Sequence, residues 1–324
     1  MCIELSDQLG TFEQKVAMFQ KTVKKSFSLE GRGLHFGKDV SIVVHPAPAD
    51  HGIVFKRTDV DHHHAYIKAS FENVSKTYLR TQLTNSFGVS VITAEHILAA
   101  FAGLGIHNAL IELNEAEVPI FDGSSRIFVK AILEAGVAEL EKKTKLYKVV
   151  NSIRVGNSDA WAELRPANTF SIDFEMNWPG TALNRQSLDM PIVNGAFVRE
   201  ICDSRTFCRK SDVVRLKDEG FALGGGIENA IVVGENEMTA QNGLRYADEC
   251  IRHKILDALG DLSLVGRPIL GKFISCSGGH GLTNLLLREC FKRGDIFVSE
   301  DFSDGDRDKL PGFDISESDT QNIL

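Results

Sequence analysis

The sequence predicts an α+β protein of two duplicated domains, each a small, mostly antiparallel sheet packed with helices. The domains form a layered sandwich with a site at their interface. Three observations predict this. A strand-like pattern begins at Lys21 and begins again near Leu146. Each pattern is followed by a similar helix, EHILAAFAGLG (95–105) and RHKILDALGDL (252–262). The chain has 324 residues, 43% of them hydrophobic, enough for two packed units.

In chain order, residues 1–20 are weakly patterned and read as a poorly ordered N-terminal extension. Residues 21–143 form the first domain. From Lys21, alternating runs are broken by Gly31, Gly33 and Gly37, then by Pro46 and Pro48, and read as an antiparallel meander. Thr93 reads as the N-cap of the first helix. The charged stretch EKKTK (141–145) is the natural boundary, and residues 146–303 form the second domain. There, WAELRPANTFSIDF repeats the strand–Pro-Ala–turn–strand order of SIVVHPAPADHGIVF. Residues 304–324 are acidic and read as a solvated tail.

Composition excludes some function classes. Lys+Arg is 36 and Asp+Glu is 44, so the net charge is −8, which argues against nucleic acid as a partner. Six cysteines (Cys2, Cys202, Cys208, Cys250, Cys276, Cys290) are scattered with no C-x-x-C pair, as in a reduced, cytoplasmic protein. The N-terminus lacks a signal-peptide pattern, and no apolar run is long enough to span a bilayer. A membrane role is therefore limited to peripheral contact or a lipid-bearing substrate.

On the second helix, His253, Lys254, Asp257 and Asp261 fall within roughly 100° of arc, with Ile255, Leu256, Leu259 and Leu262 opposite. Such an arc is ordinarily a solvated face. It is also a place where His253 and Asp257, at i and i+4, reach one metal ion. A catalytic site uses three protein ligands. His96, at the corresponding place in the sister helix, is the best third candidate, and duplication gives it a reason to face His253. Glu95 beside it is placed as a general base, against the plainer reading of an exposed helix-start carboxylate. The positive helix N-terminus favours ionised Glu95 and neutral His96. Asp261, one turn further along, is suited to orient a histidine. His280 in SCSGGHGLTN, on a glycine-rich turn before an apolar helix, is that histidine or an ordinary loop residue. Lys254 meets a phosphate or oxyanion, or is a surface lysine. His62, His63 and His64, being consecutive, do not converge as a metal clip. GRGLHFG (31–37) and LGGG (223–226) read as turns, without the strand–helix context of a dinucleotide site.

Several long segments resemble one known family. TAEHILAAFAGLGIHNALIELNEAEVPIFDGSS (93–125), GLRYADECIRHKILDALGDLSLVGRPILG (243–271), GRGLHFGKDVSIVVHPAPADHGIVFKR (31–57), GGGIENAIVV (224–233) and SGGHGLTN (277–284) are similar to the UDP-3-O-acyl-N-acetylglucosamine deacetylases. The resemblance runs from about Lys21 to about Phe297. It implies removal of acetate from a UDP-linked, 3-O-acylated glucosamine, the committed step toward lipid A in Gram-negative envelopes. It implies a monomer with two similar α+β domains, each with its own insert, the second insert forming part of a substrate passage. It implies one Zn2+ per chain, with Fe2+ the other ion such a site accepts, on His96, His253 and Asp257. Glu95 is then the general base, and His280, oriented by Asp261, the catalytic histidine. Thr206 holds the tetrahedral intermediate, while Lys254 and Phe207 contact substrate. After Thr206-Phe207 the family commonly continues with Gly-Phe and an apolar residue. Cys208, Arg209 and Lys210 stand there instead, which bears on acyl-chain length. Two alternatives accompany this reading: a related zinc amidohydrolase acting on another acylated amine, and a catalytically silent paralogue that binds a nucleotide sugar.

Overall fold

Two five-stranded sheets share one strand order, as a computed structural model of the chain shows for residues 18–321 and 323. The first contains β1 (Phe27–Arg32), β2 (Asp39–Pro46), β3 (Ile53–Arg57), β4 (Tyr66–Lys68) and β5 (Ala109–Leu113), in the order β1-β2-β5-β3-β4. The second contains β6 (Ile153–Gly156), β7 (Trp161–Arg165), β8 (Ser171–Trp178), β9 (Asn184–Pro191) and β10 (Lys272–Cys276), in the order β6-β7-β10-β8-β9. The central strand of each sheet runs antiparallel to one neighbour and parallel to the other. Helix α1 (Glu95–Gly103) precedes β5 and α2 (Arg126–Ala135) follows it. In the second half α3 (Glu249–Leu262) precedes β10 and α4 (His280–Arg293) follows it. The expected layered α+β architecture is the one observed.

The strands expected from the sequence pattern form, but not as a meander. β2 and β3 are not neighbours, because β5 lies between them. The physical reason is the parallel β3–β5 pair, which needs a crossover. Helix α1 lies in that crossover, as α3 lies in the one between β8 and β10. The same interruption that breaks each meander thus carries a helix to the interior. There α1 packs on α3, and α3 covers β8. Ile97, Leu98, Phe101, Ile255, Leu256 and Leu259 are all buried in one core. Each such side chain contributes about 1.5–3 kcal/mol. The helices approach closely at Gly260, where an added Cβ would lie 2.2 Å from the Glu95 carbonyl oxygen.

Each half carries a three-stranded insert, Val74–Lys76, Gln82–Thr84 and Ser90–Ile92 in the first, and Phe207–Arg209, Ile231–Val233 and Met238–Thr239 in the second. EKKTK is not a loose linker. Val137–Lys143 pairs with Phe19–Val23, and Lys145–Val149 begins a second small sheet. Between them Thr144 is buried, and its N–H donates to the Met18 carbonyl. Of the extension expected over 1–20, residues 1–17 lie outside the described residues, while Phe19 and Gln20 belong to a paired strand.

The C-terminal segment corrects the expectation of a solvated tail. Leu310, Phe313 and Ile323 are buried, and Arg199 binds buried Asp319. The Lys21 ammonium sits 4.3 Å from the Phe313 ring centroid. Acidic composition concealed a few widely spaced apolar side chains, and those are the ones the core receives. Cys202, Cys208, Cys250, Cys276 and Cys290 are free thiols. Among the described residues no helix is long and apolar enough to cross a membrane.

Candidate metal centre and active site

The polar arc of α3 is buried, not solvated: His253 is 1% exposed, Asp257 7% and Asp261 3%. It faces the start of α1, where Glu95 and His96 are also buried. His96, His253 and Asp257 each present one ligand atom, and these atoms lie within 4.8 Å of one another. Asp257 Oδ1 is 3.3 Å from His253 Nε2 and 3.6 Å from His96 Nε2. The His253 Nδ1–H donates to the Ser204 carbonyl at 2.9 Å, which leaves Nε2 as the free lone pair. Burial opposes ionisation of Asp257, but His253 and then Lys254 outweigh it and hold the carboxyl well below the usual carboxylate range. Two imidazoles and an ionised carboxylate, converging in a buried place, fit a single divalent metal ion by donor type and spacing.

Glu95 lies beside this set. Its Oε2 accepts the Thr81 N–H at 3.0 Å, and its Oε1 is 3.9 Å from His280 Nε2. The expectation that the helix terminus keeps Glu95 acidic is overridden. Burial is the dominant effect and pushes its pKa up, with His280 and His96 opposing. A carboxylate moved toward neutrality is a better proton acceptor. His280 Nδ1 donates to Asp261 Oδ2 at 2.7 Å. Burial disfavours its charge, yet Asp261, with Glu95 behind it, raises its pKa to about 9.

A cavity of about 240 Å³ collects these groups, with Lys254, Thr206 and Phe207 on its wall. Leu34, Met176 and Trp178 supply apolar lining. Lys254 is less free than expected, since its ammonium lies 3.1 Å from Asp257 Oδ2. The Thr206 N–H donates to the Gly123 carbonyl, and the Phe207 ring packs against Trp178 with centroids 5.1 Å apart. The departure at Arg209 has a definite place: its guanidinium sits 4.6 Å from the Trp178 ring centroid. His62, His63 and His64 form an exposed turn away from this cavity.

Thr93 is not the helix cap. Ala94 occupies the cap position without a side-chain bond, while Thr93 has φ +59° and its hydroxyl donates to Glu117 Oε1. A β-branched residue in the left-handed region is strained, and it is held here by Glu117. That buried carboxylate also accepts the His35 and Phe36 N–H groups. The GRGLHFG turn therefore wraps a buried carboxyl, whose pKa burial pushes up against these donors. A Cβ at Gly33 would lie 2.4 Å from Glu117 Oε2, so a side chain there would displace that carboxyl from its donors.

Reading the sequence alone also missed three supports. Thr81 holds both sides of the site, its N–H on Glu95 and its hydroxyl on Asp261 Oδ1 at 2.5 Å. Arg205 and Glu249 form a buried pair, with the Arg205 Nε 2.8 Å from Glu249 Oε1. The Arg205 guanidinium also donates to the Gln241 and Gly243 carbonyls, fixing the loop whose Ser204 carbonyl orients His253. No local pattern announces any of these; only the adjacency of Arg205 to Thr206 was visible.

The fold and the buried ligand set define an α+β protein with a place for one metal ion. A family model described as UDP-3-O-acyl N-acetylglycosamine deacetylase matches residues 20–292. The chain is 44% identical over 278 residues to the UDP-3-O-acyl-N-acetylglucosamine deacetylase of Colwellia psychrerythraea, covering 85% of this chain and 91% of that one. It is 40% identical over 293 residues to the protein of the same name from Psychrobacter cryohalolentis, covering 90% and 91%. The corresponding protein of Blochmanniella pennsylvanica is 41% identical over 271 residues, covering 83% and 91%. The chain belongs to the UDP-3-O-acyl N-acetylglycosamine deacetylase family.

Proposed function

We propose that this protein hydrolyses the N-acetyl group of UDP-3-O-acyl-N-acetylglucosamine, releasing acetate and the free amine, in the cytoplasm and on the route to lipid A. The observation that carries the reading is the buried His96–His253–Asp257 set with Glu95 alongside, in a cavity that is otherwise partly apolar. Family membership supports the substrate.

His96, His253 and Asp257 would hold a divalent ion, zinc in this reading, which when bound would supply Lewis-acid polarisation of the amide carbonyl and the attacking water. Glu95, raised toward neutrality by burial, takes a proton from the water. The Thr206 hydroxyl donates to the oxygen that gains charge as the carbonyl carbon becomes tetrahedral. His280 is charged at neutral pH and gives a proton to the departing nitrogen, and Asp261 keeps it charged and aligned. Lys254 offsets negative charge at the same wall. Water is consumed, the C–N bond breaks, and acetate and amine leave. Phe207, Trp178 and Met176 receive apolar parts of the substrate, with Arg209 on Trp178 limiting the space for an acyl chain. Residues 21–143 and 146–303 act as the two domains that bring α1 and α3 to this site.

The direct test measures metal content and acetate release together, on substrates of several acyl lengths, with and without a chelator. Deacetylation that a chelator stops and zinc restores is the expected result. Stoichiometric zinc with no acetate from any chain length would instead move the substrate to another acylated amine or leave a silent binding protein. His253→Ala is expected to purify without stoichiometric metal; a variant that still binds one ion per chain removes His253 from the ligand set.

The charge of His280 predicts a pH profile. Its raised pKa keeps the proton donor loaded below about 9, so kcat falls on the alkaline side as pH passes that value. Asp261→Asn removes the main raising influence, and the alkaline limb should move down toward the ordinary histidine range. An unmoved limb would assign it to another group.

A further inference from the structure

A second cavity among the described residues is larger than the one that holds the ligand set. It has a volume of about 670 Å³ and lies on the other side of the two buried helices. Its apolar wall includes Leu98 and Phe101 of α1 and Leu259 and Leu262 of α3. Size and lining are those of a small-molecule site.

The rim has a different character. Lys68, Lys142, Lys143, Lys145 and Arg267 stand around it, and Asp50 is the one acid among the lining residues. Asp50 is taken by Lys142, and Lys145 is paired with Asp301 at 3.7 Å. Lys68, Lys143 and Arg267 have no carboxylate partner within ion-pair distance among the described residues, while Arg267 donates to Ser299 Oγ at 2.9 Å and lies 5.0 Å from the Tyr147 ring centroid. All three are exposed at the mouth. In a protein of net charge −8, a mouth with five cations and one acid is a local reversal of sign.

A second observation comes from the wall. The His107 Nδ1 accepts the Lys21 N–H at 3.1 Å, so in the neutral ring Nε2 carries the hydrogen. That Nε2 is buried and has no hydrogen-bond partner among the described residues. A buried donor without an acceptor costs free energy, so this wall carries one unmet polar group beside its apolar side chains.

We propose that this cleft binds an anionic single-chain amphiphile, with its chain on the Leu98–Phe101–Leu259–Leu262 wall and its head on Lys143, Arg267 and Lys68. Chain and head match the two halves of the cleft separately. An uncharged amphiphile lacks the second match, and a polar anion lacks the first. The site is separate from the metal centre, although Leu98 and Leu259 each follow a proposed metal ligand by two residues.

The test is calorimetric titration of the full metal-loaded chain with dodecanoate below its micelle concentration, with neutral dodecyl maltoside as the comparison. The expected result is a saturable dodecanoate site, distinct from any in the active-site cavity, that weakens about tenfold or more in Lys143→Glu/Arg267→Glu, a loss of about one decade in Kd. Trp178→Ala and Lys254→Ala, which alter the other cavity, should leave it in place. Ala102→Leu narrows the cleft without touching its charges, and should weaken binding even if the charge reversals perturb folding. Binding that survives the reversals and is lost with Trp178→Ala would place the amphiphile in the active-site cavity and overturn the proposal. So would equal binding of dodecyl maltoside, no saturable binding, or a chain dimer in sedimentation that the reversals dissociate.

Discussion

Glu95→Gln is expected to lower kcat by about 10²–10⁴ with metal content unchanged. The substitution is suited to the geometry. Glu95 is not one of the three converging ligand groups, so removing its charge leaves His96, His253 and Asp257 in place. A glutamine oxygen still accepts the Thr81 N–H, so the segment ahead of α1 keeps its anchor. What disappears is a carboxylate whose pKa burial has pushed up. Glu95→Ala should lose a similar factor and also strand the Thr81 N–H, with a further cost in stability of about 1–3 kcal/mol. Single-turnover rates beside zinc stoichiometry separate the outcomes. Near-normal turnover in the glutamine variant would give the proton-accepting role to another residue, whereas a parallel loss of metal would make Glu95 part of the ion's support.

Glu249→Ala is expected to destabilise the fold by about 3–5 kcal/mol, since it leaves the Arg205 guanidinium buried and uncompensated. The two side chains are 3% and 0% exposed, so solvent has little access to replace the lost partner. Burial opposes the charge on Glu249, but the Arg205 bond and backbone donors outweigh it and lower its pKa. The sign of the pH dependence follows. A depressed folded pKa contributes stability that is present above the unfolded value and lost as pH falls through the folded one. Urea midpoints should therefore fall in Glu249→Ala near neutral pH, and the difference from the parent should shrink in acid. Because Ser204 adjoins Arg205 and its carbonyl accepts the His253 Nδ1–H hydrogen bond, metal affinity should also drop. A change below about 1 kcal/mol would show that water reaches Arg205 once the partner is gone.

Local chemistry made several parts of this protein legible in advance. Period-two alternation marked the strands of both halves, period 3.6 marked α3, likeness to it marked α1, and apolar richness marked α4. The spacing of His253 and Asp257 placed two side chains on one face, because adjacent turns of a helix do so whatever surrounds them. Recurrence of the pattern suggested that His96 would face His253, and the shared strand order shows the duplication behind it.

Other features were settled only by distant parts of the chain meeting. Whether the arc of α3 met water or another helix depended on α1, more than 140 positions away, and on Gly260 allowing the approach. The central strands β5 and β10 enter their sheets from beyond a helix, so no reading of consecutive strands placed them. Thr93, assigned to capping by its type, was claimed by Glu117, and Arg205 was claimed by Glu249. The acidic tail was drawn in by Leu310 and Phe313, which its average composition hid. The sequence by itself determined the elements and the residue types on each face, because these depend on neighbours within a few positions. The tertiary structure decided burial, the partner of each charge and the pKa values of Glu95 and His280, because desolvation and Coulomb interactions depend on distance in space.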